Sequence, residues 1–515
     1  MRFTILRALP CLALLAITTS VRVSAQAQAG ILALSVRHTT LKNTTKPSGE
    51  LKSQIDSLDA LIGAAARVGR TAELRRLYAQ SAVLLAGQPW TPESEFGASV
   101  VMRTERQVVD PARPWTVRVE QIFAPGIRLE RTLVARASLK QRPSNAAPGT
   151  ALNIVRELGR FDGVPRDLRD TPFVIDADLT GVNDGNYIMS VELLDSARTL
   201  STANIGIVVR NGLDATVTKL EAAAEKAAEP LRSDLRFPID RLRQVNASRV
   251  ALGTFNAARD FAAAESLLAP LAARKDPWAT RRGDIKRHYL LTAANEIMPY
   301  RMYVPTTYSS KKSLPLVIAL HGLGGTEDAF FTAYGAVLPK LAEERGYIVA
   351  APLGYRVDGA YGVALGSPSG DPAAARNRAL SEEDVLQVVE AVCRQYNIDP
   401  QRVYLMGHSM GAIGTWALAA KYPDRWTGLG VFSGFGLASS ARTIAHIPQF
   451  VVHGDADPTV TVGGSRTMVA ALKAANANVR YLEIPGGNHN DVVEPNLSAM
   501  FEFFDAYPRR GTVAP

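Results

Sequence analysis

Residues 403–416 read VYLMGHSMGAIGTW, four apolar residues that run into Gly-His-Ser-Met-Gly and then into a helical pattern. Ser409 lies two residues from Gly407 on one side and Gly411 on the other. A serine on a sharp strand-to-helix turn is lifted out of its sheet as a nucleophile, and the close backbone approach there calls for glycines. The start of the following helix favours developing negative charge. A serine hydroxyl needs a base to take its proton, and the base needs a carboxylate to orient it.

Three histidines follow Ser409: His446, His453 and His489. His446 precedes the next strand and His453 ends it. Only His489, in IPGGNHNDV, comes after both a strand and a carboxylate placed just beyond a strand end. The intervening carboxylates are Asp424, Asp455, Asp457 and Glu483. Asp424 closes a helix and Glu483 lies within a strand. Asp455 and Asp457 share the loop HGDADPTV directly after a strand, where a side chain can reach the histidine. Asp457 is the preferred acid, because two further residues let it turn back over the sheet edge and Pro458 fixes the chain beside it. Asp455 is then the turn residue. The expected catalytic set is Ser409, His489 and Asp457. A histidine base must be neutral, and free imidazole titrates near ~6.5, so activity is expected to fall on acidification through that region.

A tetrahedral intermediate needs N–H donors for its oxyanion. LHGLGG, residues 320–325, follows the strand PLVIAL, and its glycines let backbone amides face the site. The amides of Leu323 and Met410 are the expected donors, with His321 bracing the loop. Residues 352–380 form a long Gly-rich connection, in which Tyr355 and Tyr361 could meet an aromatic or acyl group. Phe435, after another strand, is a further candidate contact.

The elements that must position these residues alternate. PLVIAL, YIVAA, VYLM, LGVF, QFVV and VRYLEI are apolar enough for parallel strands buried on both faces. A helix over Ser381–Tyr396 is expected, opened by a capping-box-like Ser381/Asp384 and buried through Val385, Leu386, Val389 and Val392. This is an open α/β sheet, with chemistry beyond the carboxyl ends of its strands.

These motifs together resemble the α/β-hydrolase superfamily. PYRMYVP, PLVIALHGLGG, YNIDPQRVYLMGHSMGAIGTW and FVVHGDADPTV are similar to secreted esterases of the polyhydroxybutyrate-depolymerase and feruloyl-esterase type, and to prolyl-oligopeptidase-like hydrolase domains. The likeness covers about 286–510. It implies a serine hydrolase whose elbow, acid and histidine fall on Ser409, Asp457 and His489. Ala412 and Ile413 follow the elbow where such proteins often carry another glycine, and the disulfides common among secreted relatives cannot form within a chain left with Cys393 alone after the signal.

The first 280 residues carry other patterns. Leu51, Ile55, Leu58, Leu61 and Ile62, then Leu74, Leu77 and Leu84, recur at helical spacing on either side of Gly69-Arg70. Between 95 and 211, short β-rich runs separated by turn residues suggest an Ig-like β-sandwich. Residues 213–275 are alanine-rich and helical, and KDPWATRRGD reads as a linker. The expected organisation is a signal peptide at 1–25, a helical segment at 26–92, the sandwich at 93–211, a helical connector at 212–282 and an α/β-hydrolase domain at 283–515.

The signal reading rests on Arg2 and Arg7, an apolar run from Ala8 to Ile17, and Val-Ser-Ala before Gln26. That run is too short to span a bilayer, so a secreted or periplasmic protein is expected. The charge of +9, from 58 Lys plus Arg against 49 Asp plus Glu, is spread without basic runs and suggests no nucleic-acid partner. Of two cysteines, Cys11 lies in the signal, and Cys393 is expected in the core. No HExxH, Walker loop or cysteine cluster is present, so neither metal nor organic cofactor is expected. The expected partner is an ester-containing small molecule or polymer. A peptidase with the same triad and a non-catalytic secreted binding protein are the alternatives; the sequence does not speak to oligomeric state.

Overall fold

The computed structural model describes residues 25–127, 129–143, 150–365 and 372–508. The expected signal peptide therefore lies outside the described residues except for Ala25, which opens helix α1 (Ala25–Thr45). Helices α2 (Gly49–Arg67) and α3 (Thr71–Leu85) follow, and Ile55, Leu58, Ile62, Leu74 and Leu77 meet in their shared core. Leu61, expected on the buried stripe, is half exposed. Helix α4 (Pro92–Ser99) starts at a Thr91–Ser94 capping box, so the expected boundary at 92/93 falls inside a helix.

Eight strands come next: β1 (Val100–Arg103), β2 (Val108–Val109), β3 (Trp115–Gln121), β4 (Leu133–Gln141), β5 (Asn153–Val164), β6 (Phe173–Ala177), β7 (Gly185–Asp195) and β8 (Arg198–Val209). They make a three-stranded sheet β1-β3-β6 and a five-stranded sheet β2-β8-β7-β4-β5. Trp115, Val117, Val119 and Ile175 of the first sheet share one core with Ala135, Met189, Val191 and Leu193 of the second. Strands β5 and β6 lie outside the sequence-based expectation. β5 is a mostly exposed edge strand carrying Arg156, Glu157, Arg160 and Asp162, so charge replaces apolar alternation.

Helices α5 (Leu213–Glu225), α6 (Leu231–Asn246), α7 (Ala257–Ser266) and α8 (Leu268–Ala272) lead into the second half. Its sheet contains β9 (Gly283–Leu291), β10 (Glu296–Val304), β11 (Leu314–Leu320), β12 (Ile348–Pro352), β13 (Ile398–His408), β14 (Gly428–Phe432), β15 (Gln449–Gly454) and β16 (Val479–Ile484). The order is β16-β15-β14-β13-β11-β12-β10-β9. Strands β11 to β16 run parallel, and β10 is antiparallel to both β12 and β9. Every residue of β11, β12, β14 and β15 is buried, as the unbroken apolar runs require. Helices α9 (Ala329–Thr332), α10 (Val337–Arg345), α11 (Pro372–Gln395), α12 (Met410–Lys421), α13 (Gly463–Ala474) and α14 (Leu497–Ala506) connect and cover the strands. Among the described residues no helix is long and apolar enough to cross a membrane.

The two halves are joined by buried polar contacts. Asp234 of α6 accepts from the His288 amide and lies against His288 Nδ1, each at 3.0 Å, and pairs with Arg287 at 3.4 Å. Asp240 of α6 accepts from the Ile297 amide at 3.0 Å. Helix α6 thus seals β9, the edge strand of the larger sheet. At the other side, Asn43 of α1 donates to the Pro458 carbonyl at 2.6 Å and the Thr40 hydroxyl meets that of Thr459 at 3.2 Å.

Two expectations are corrected. Ser381 and Asp384 do not start a helix; they sit inside α11, which begins at Pro372. Their side chains point inward instead. Ser381 Oγ accepts from the Tyr361 amide at 2.9 Å and Asp384 from the Tyr355 amide at 2.8 Å, which pins the preceding loop to α11. Cys393 is exposed rather than in the core, because the buried face of α11 is formed by Val385, Val388 and Val392.

Candidate active site

Strand β13 ends at His408, Ser409 makes the turn and Met410 opens α12. Ser409 has φ 56° and ψ −118°, a backbone position that side-chain-bearing residues seldom occupy. Its amide is held by the Phe432 carbonyl of β14 at 2.9 Å. The flanking glycines are dictated by contact. A Cβ on Gly407 would lie 2.3 Å from the Gly411 backbone, and one on Gly411 would lie 2.0 Å from the Leu320 carbonyl. Helix α12 therefore crosses the ends of β13 and β11 at a distance that no side chain permits.

His489 Nε2 lies 2.8 Å from Ser409 Oγ, and its Nδ1 lies 2.7 Å from Asp457 Oδ2. Asp457, on the loop after β15, also accepts through Oδ1 from the amides of Thr459 (2.8 Å) and Val460 (2.9 Å). Asp455 serves the loop instead, accepting from the Gly486 amide at 2.7 Å. Asp424 and Glu483 sit apart, Glu483 paired with Arg466 on β16, and His446 is exposed in a turn. The structure thus brings together the three residues chosen from the sequence.

Two histidines with supporting positions were not foreseen. His453, fully buried on β15, directs Nε2 at the Val460 carbonyl (2.8 Å) and at Asp457 Oδ2 (3.2 Å). Both are acceptors, so this nitrogen carries a proton. Asp457 Oδ2 is therefore shared by two imidazoles. Burial alone would raise the Asp457 pKa, but the hydrogen bonds from His453 and His489 hold its carboxyl well below the usual carboxylate range.

His408, the residue before the nucleophile, directs Nε2 at the His489 carbonyl and Nδ1 at the Tyr334 hydroxyl, each at 2.8 Å. The carbonyl can only accept, so Nε2 donates and Tyr334 donates to Nδ1. The strand position of His408 within Gly-His-Ser was the available signal, since a residue preceding the elbow faces away from Ser409 into the sheet's other side.

Burial, reinforced by the neighbouring His489, pushes the His408 pKa down to about 3. The folded value lies below the unfolded one, so the folded state binds fewer protons between the two. This contribution to stability is full above the unfolded value of ~6.5 and is lost as pH falls towards about 3. Going from pH 7 to pH 5 should cost roughly 2 kcal/mol through this group. Urea unfolding at both pH values checks this: His408→Gln, which cannot titrate, should show a correspondingly smaller loss. An equal loss in both proteins would exclude His408 as the source.

The loop after β11 lies against the nucleophile; a Cβ on Gly322 would be 3.3 Å from Ser409 Cβ. Leu323 follows in this loop. His321 braces it, with Nδ1 2.8 Å from the Gly322 carbonyl and Nε2 2.7 Å from the Leu353 carbonyl. The Gly324 amide donates to the Val357 carbonyl at 2.8 Å. Met410 is the first residue of α12, so its N–H has no intrahelical acceptor.

The three proposed substrate contacts separate. Tyr361 is 1% exposed, packs against Gly354 and Gly414, and spends its hydroxyl on the His321 carbonyl at 3.1 Å. It supports the loop from behind and presents nothing to a substrate. Tyr355 is also buried, under the Arg356 guanidinium at 3.9 Å from the ring centre. Phe435 alone keeps an exposed ring, in the loop after β14 and against Gly464. Aromatic residues in a long loop look alike in sequence whether they face outward or plug the space beneath.

A parallel sheet with a glycine-flanked serine at a strand-to-helix turn, a histidine and a carboxylate brought in from later loops, and a Gly-rich loop beside the serine define an α/β-hydrolase domain. Residues 292–489 match the family described as putative esterase. It is similar to feruloyl esterase B of Neurospora crassa, 31% identical over 147 residues, 28% of this chain and 47% of that protein. It is also similar to the probable acetylxylan esterase A of Neosartorya fischeri, 31% identical over 133 residues, 26% of this chain and 34% of that protein. The chain thus spans less than half the length of these curated relatives. A crystal structure of a thermostable esterase aligns over 80% of this chain and 100% of its own, with 18% identity and a TM-score of 0.39.

Proposed function

We propose that the protein is a serine carboxylic-ester hydrolase that works through an acyl-enzyme. The observation that carries this is the unbroken hydrogen-bonded line Asp457–His489–Ser409 at the elbow. Ser409 Oγ attacks the ester carbonyl as His489 Nε2 takes its proton. The same imidazolium then protonates the departing alcohol. Water attacks the acyl-serine by the reverse relay and releases the acid. Asp457, kept ionised, fixes the Nδ1–H tautomer and stabilises the imidazolium. The amides of Leu323 and Met410 receive the oxyanion, helped by the α12 N-terminus. Phe435 walls the acyl or alcohol side. The names of the relatives suggest feruloyl esters or acetylated xylan as substrates.

We further read residues 1–25 as an export signal, giving a secreted or periplasmic protein. Residues 26–92 are then a helical segment, 93–211 an Ig-like sandwich, 212–282 a connector and 283–515 the catalytic domain. The test is a panel of p-nitrophenyl acetate, p-nitrophenyl butyrate, ethyl ferulate and a short-peptide library, alongside fluorophosphonate labelling. Ester turnover and a label mapped to Ser409 are expected. Peptide cleavage without ester turnover would replace the reading with a peptidase. A folded protein with neither label nor turnover would leave a binding protein.

A further inference from the structure

A cleft with an enclosed volume of about 50 Å³, or about 480 Å³ with the open space in front of it counted, lies where α6 and the loop after it meet the segment following β12. None of Ser409, Asp457 and His489 lines it. Arg241 of α6 projects into it while only 2% exposed. Its Nε is buried without a hydrogen-bond partner, and its guanidinium lies over the Phe237 ring, 5.3 Å from the ring centre. A guanidinium stays charged at any pH a protein survives, and a buried charge without a hydrogen-bonding partner is costly. Arg356, in the same wall, differs: it pairs with Glu296 at 2.9 Å and donates to the Tyr355 carbonyl at 2.9 Å.

The remaining wall is largely apolar, with Val250, Leu353 and the Tyr355 ring, and Arg249 adds a third cation at the lining. Asp358 is the one carboxylate in the lining, and burial pushes its pKa up, towards the uncharged form. Glu327, Asp240 and Glu296 act on Arg241 at longer range and are opposed by the Arg356 guanidinium.

We propose that this cavity binds a small monocarboxylate, with its oxygens on the Arg241 fork and its hydrocarbon body against Val250, Leu353 and Tyr355. A planar carboxylate matches a guanidinium in two parallel hydrogen bonds, and the apolar wall favours an organic acid over a bare inorganic anion. The site adjoins the active-site loop through hydrogen bonds. Leu353 and Val357 in its wall are the residues whose carbonyls hold His321 and the Gly324 amide.

Isothermal titration of the full chain with benzoate tests this. Saturable one-to-one binding is expected, at least tenfold weaker for benzyl alcohol, which has the ring but no carboxylate. Arg241→Gln should weaken benzoate binding at least tenfold. Ala251→Trp, which obstructs the rim from an exposed position, should do the same with Arg241 intact, and it decides the matter if Arg241→Gln fails to fold. Benzoate held at Ser409 would be untouched by either change. Absence of binding, unchanged affinity in a folded variant, or binding of inorganic phosphate in place of benzoate would overturn the proposal.

Discussion

Replacing Ser409 with alanine should lower kcat on p-nitrophenyl acetate by about 10⁵-fold or more, near 7 kcal/mol of transition-state stabilisation. The change removes the attacking oxygen and nothing else of consequence. Among the described residues the only side-chain partner of Ser409 Oγ is His489 Nε2, while the turn is held by the Ser409 amide on Phe432 and by the two glycine contacts. Alanine meets the same backbone strain as serine, so urea unfolding should shift by less than about 1 kcal/mol. Some rate above the uncatalysed reaction should survive from the oxyanion donors. A Ser409→Ala protein retaining a tenth of the wild-type kcat would remove the acyl-enzyme from consideration.

Asp457→Asn should cost about 10³- to 10⁴-fold in kcat. All four contacts to this carboxylate come from donors: the amides of Thr459 and Val460 on Oδ1, and His489 and His453 on Oδ2. An asparagine amide must place its NH₂ against one of those pairs, whichever way it is turned. Facing Oδ2's partners, it forces His489 into the wrong tautomer. Facing the loop, it unseats the turn and leaves buried N–H groups without acceptors, at about 1–3 kcal/mol each. Loss of activity should therefore accompany a measurable loss of stability in urea. Asp455→Asn is the comparison, because among the described residues Asp455 receives only the Gly486 amide through its side chain; less than a tenfold change is expected. A larger effect at 455 than at 457 would reverse the assignment of the acid.

The sequence was most informative where chemistry and chain order constrain each other. An elbow with glycines at fixed offsets and a last histidine narrowed the acid to Asp455 or Asp457, with Asp457 preferred, and Ser409, His489 and Asp457 converge. The parallel strands were readable because burial on both faces leaves an unbroken apolar run. His453 was not readable as a support, since a strand histidine shows nothing of the loop that folds over it, and His408 offered only its place beside the nucleophile. Ser381 and Asp384 copied a helix start because inward hydrogen bonds to a neighbouring loop use the same residue types as a cap. β5 was hidden because an exposed edge strand can be built from charge. Tyr361 looked available to substrate because loop composition does not report depth.

The seal between α6 and β9 has a practical corollary. The composition change near residue 283 invites cutting there to isolate a catalytic fragment. Arg287 and His288 lie just past that point, buried, and both rely on Asp234 from the discarded side. The fragment would inherit a stranded cation and a naked ribbon edge, an invitation to clumping rather than a minimal enzyme. Asn43 and Thr40 would be lost as well, and with them the outer prop of the loop that carries Asp457. Evolutionary modules can be spliced like beads, but here the string runs through the bead.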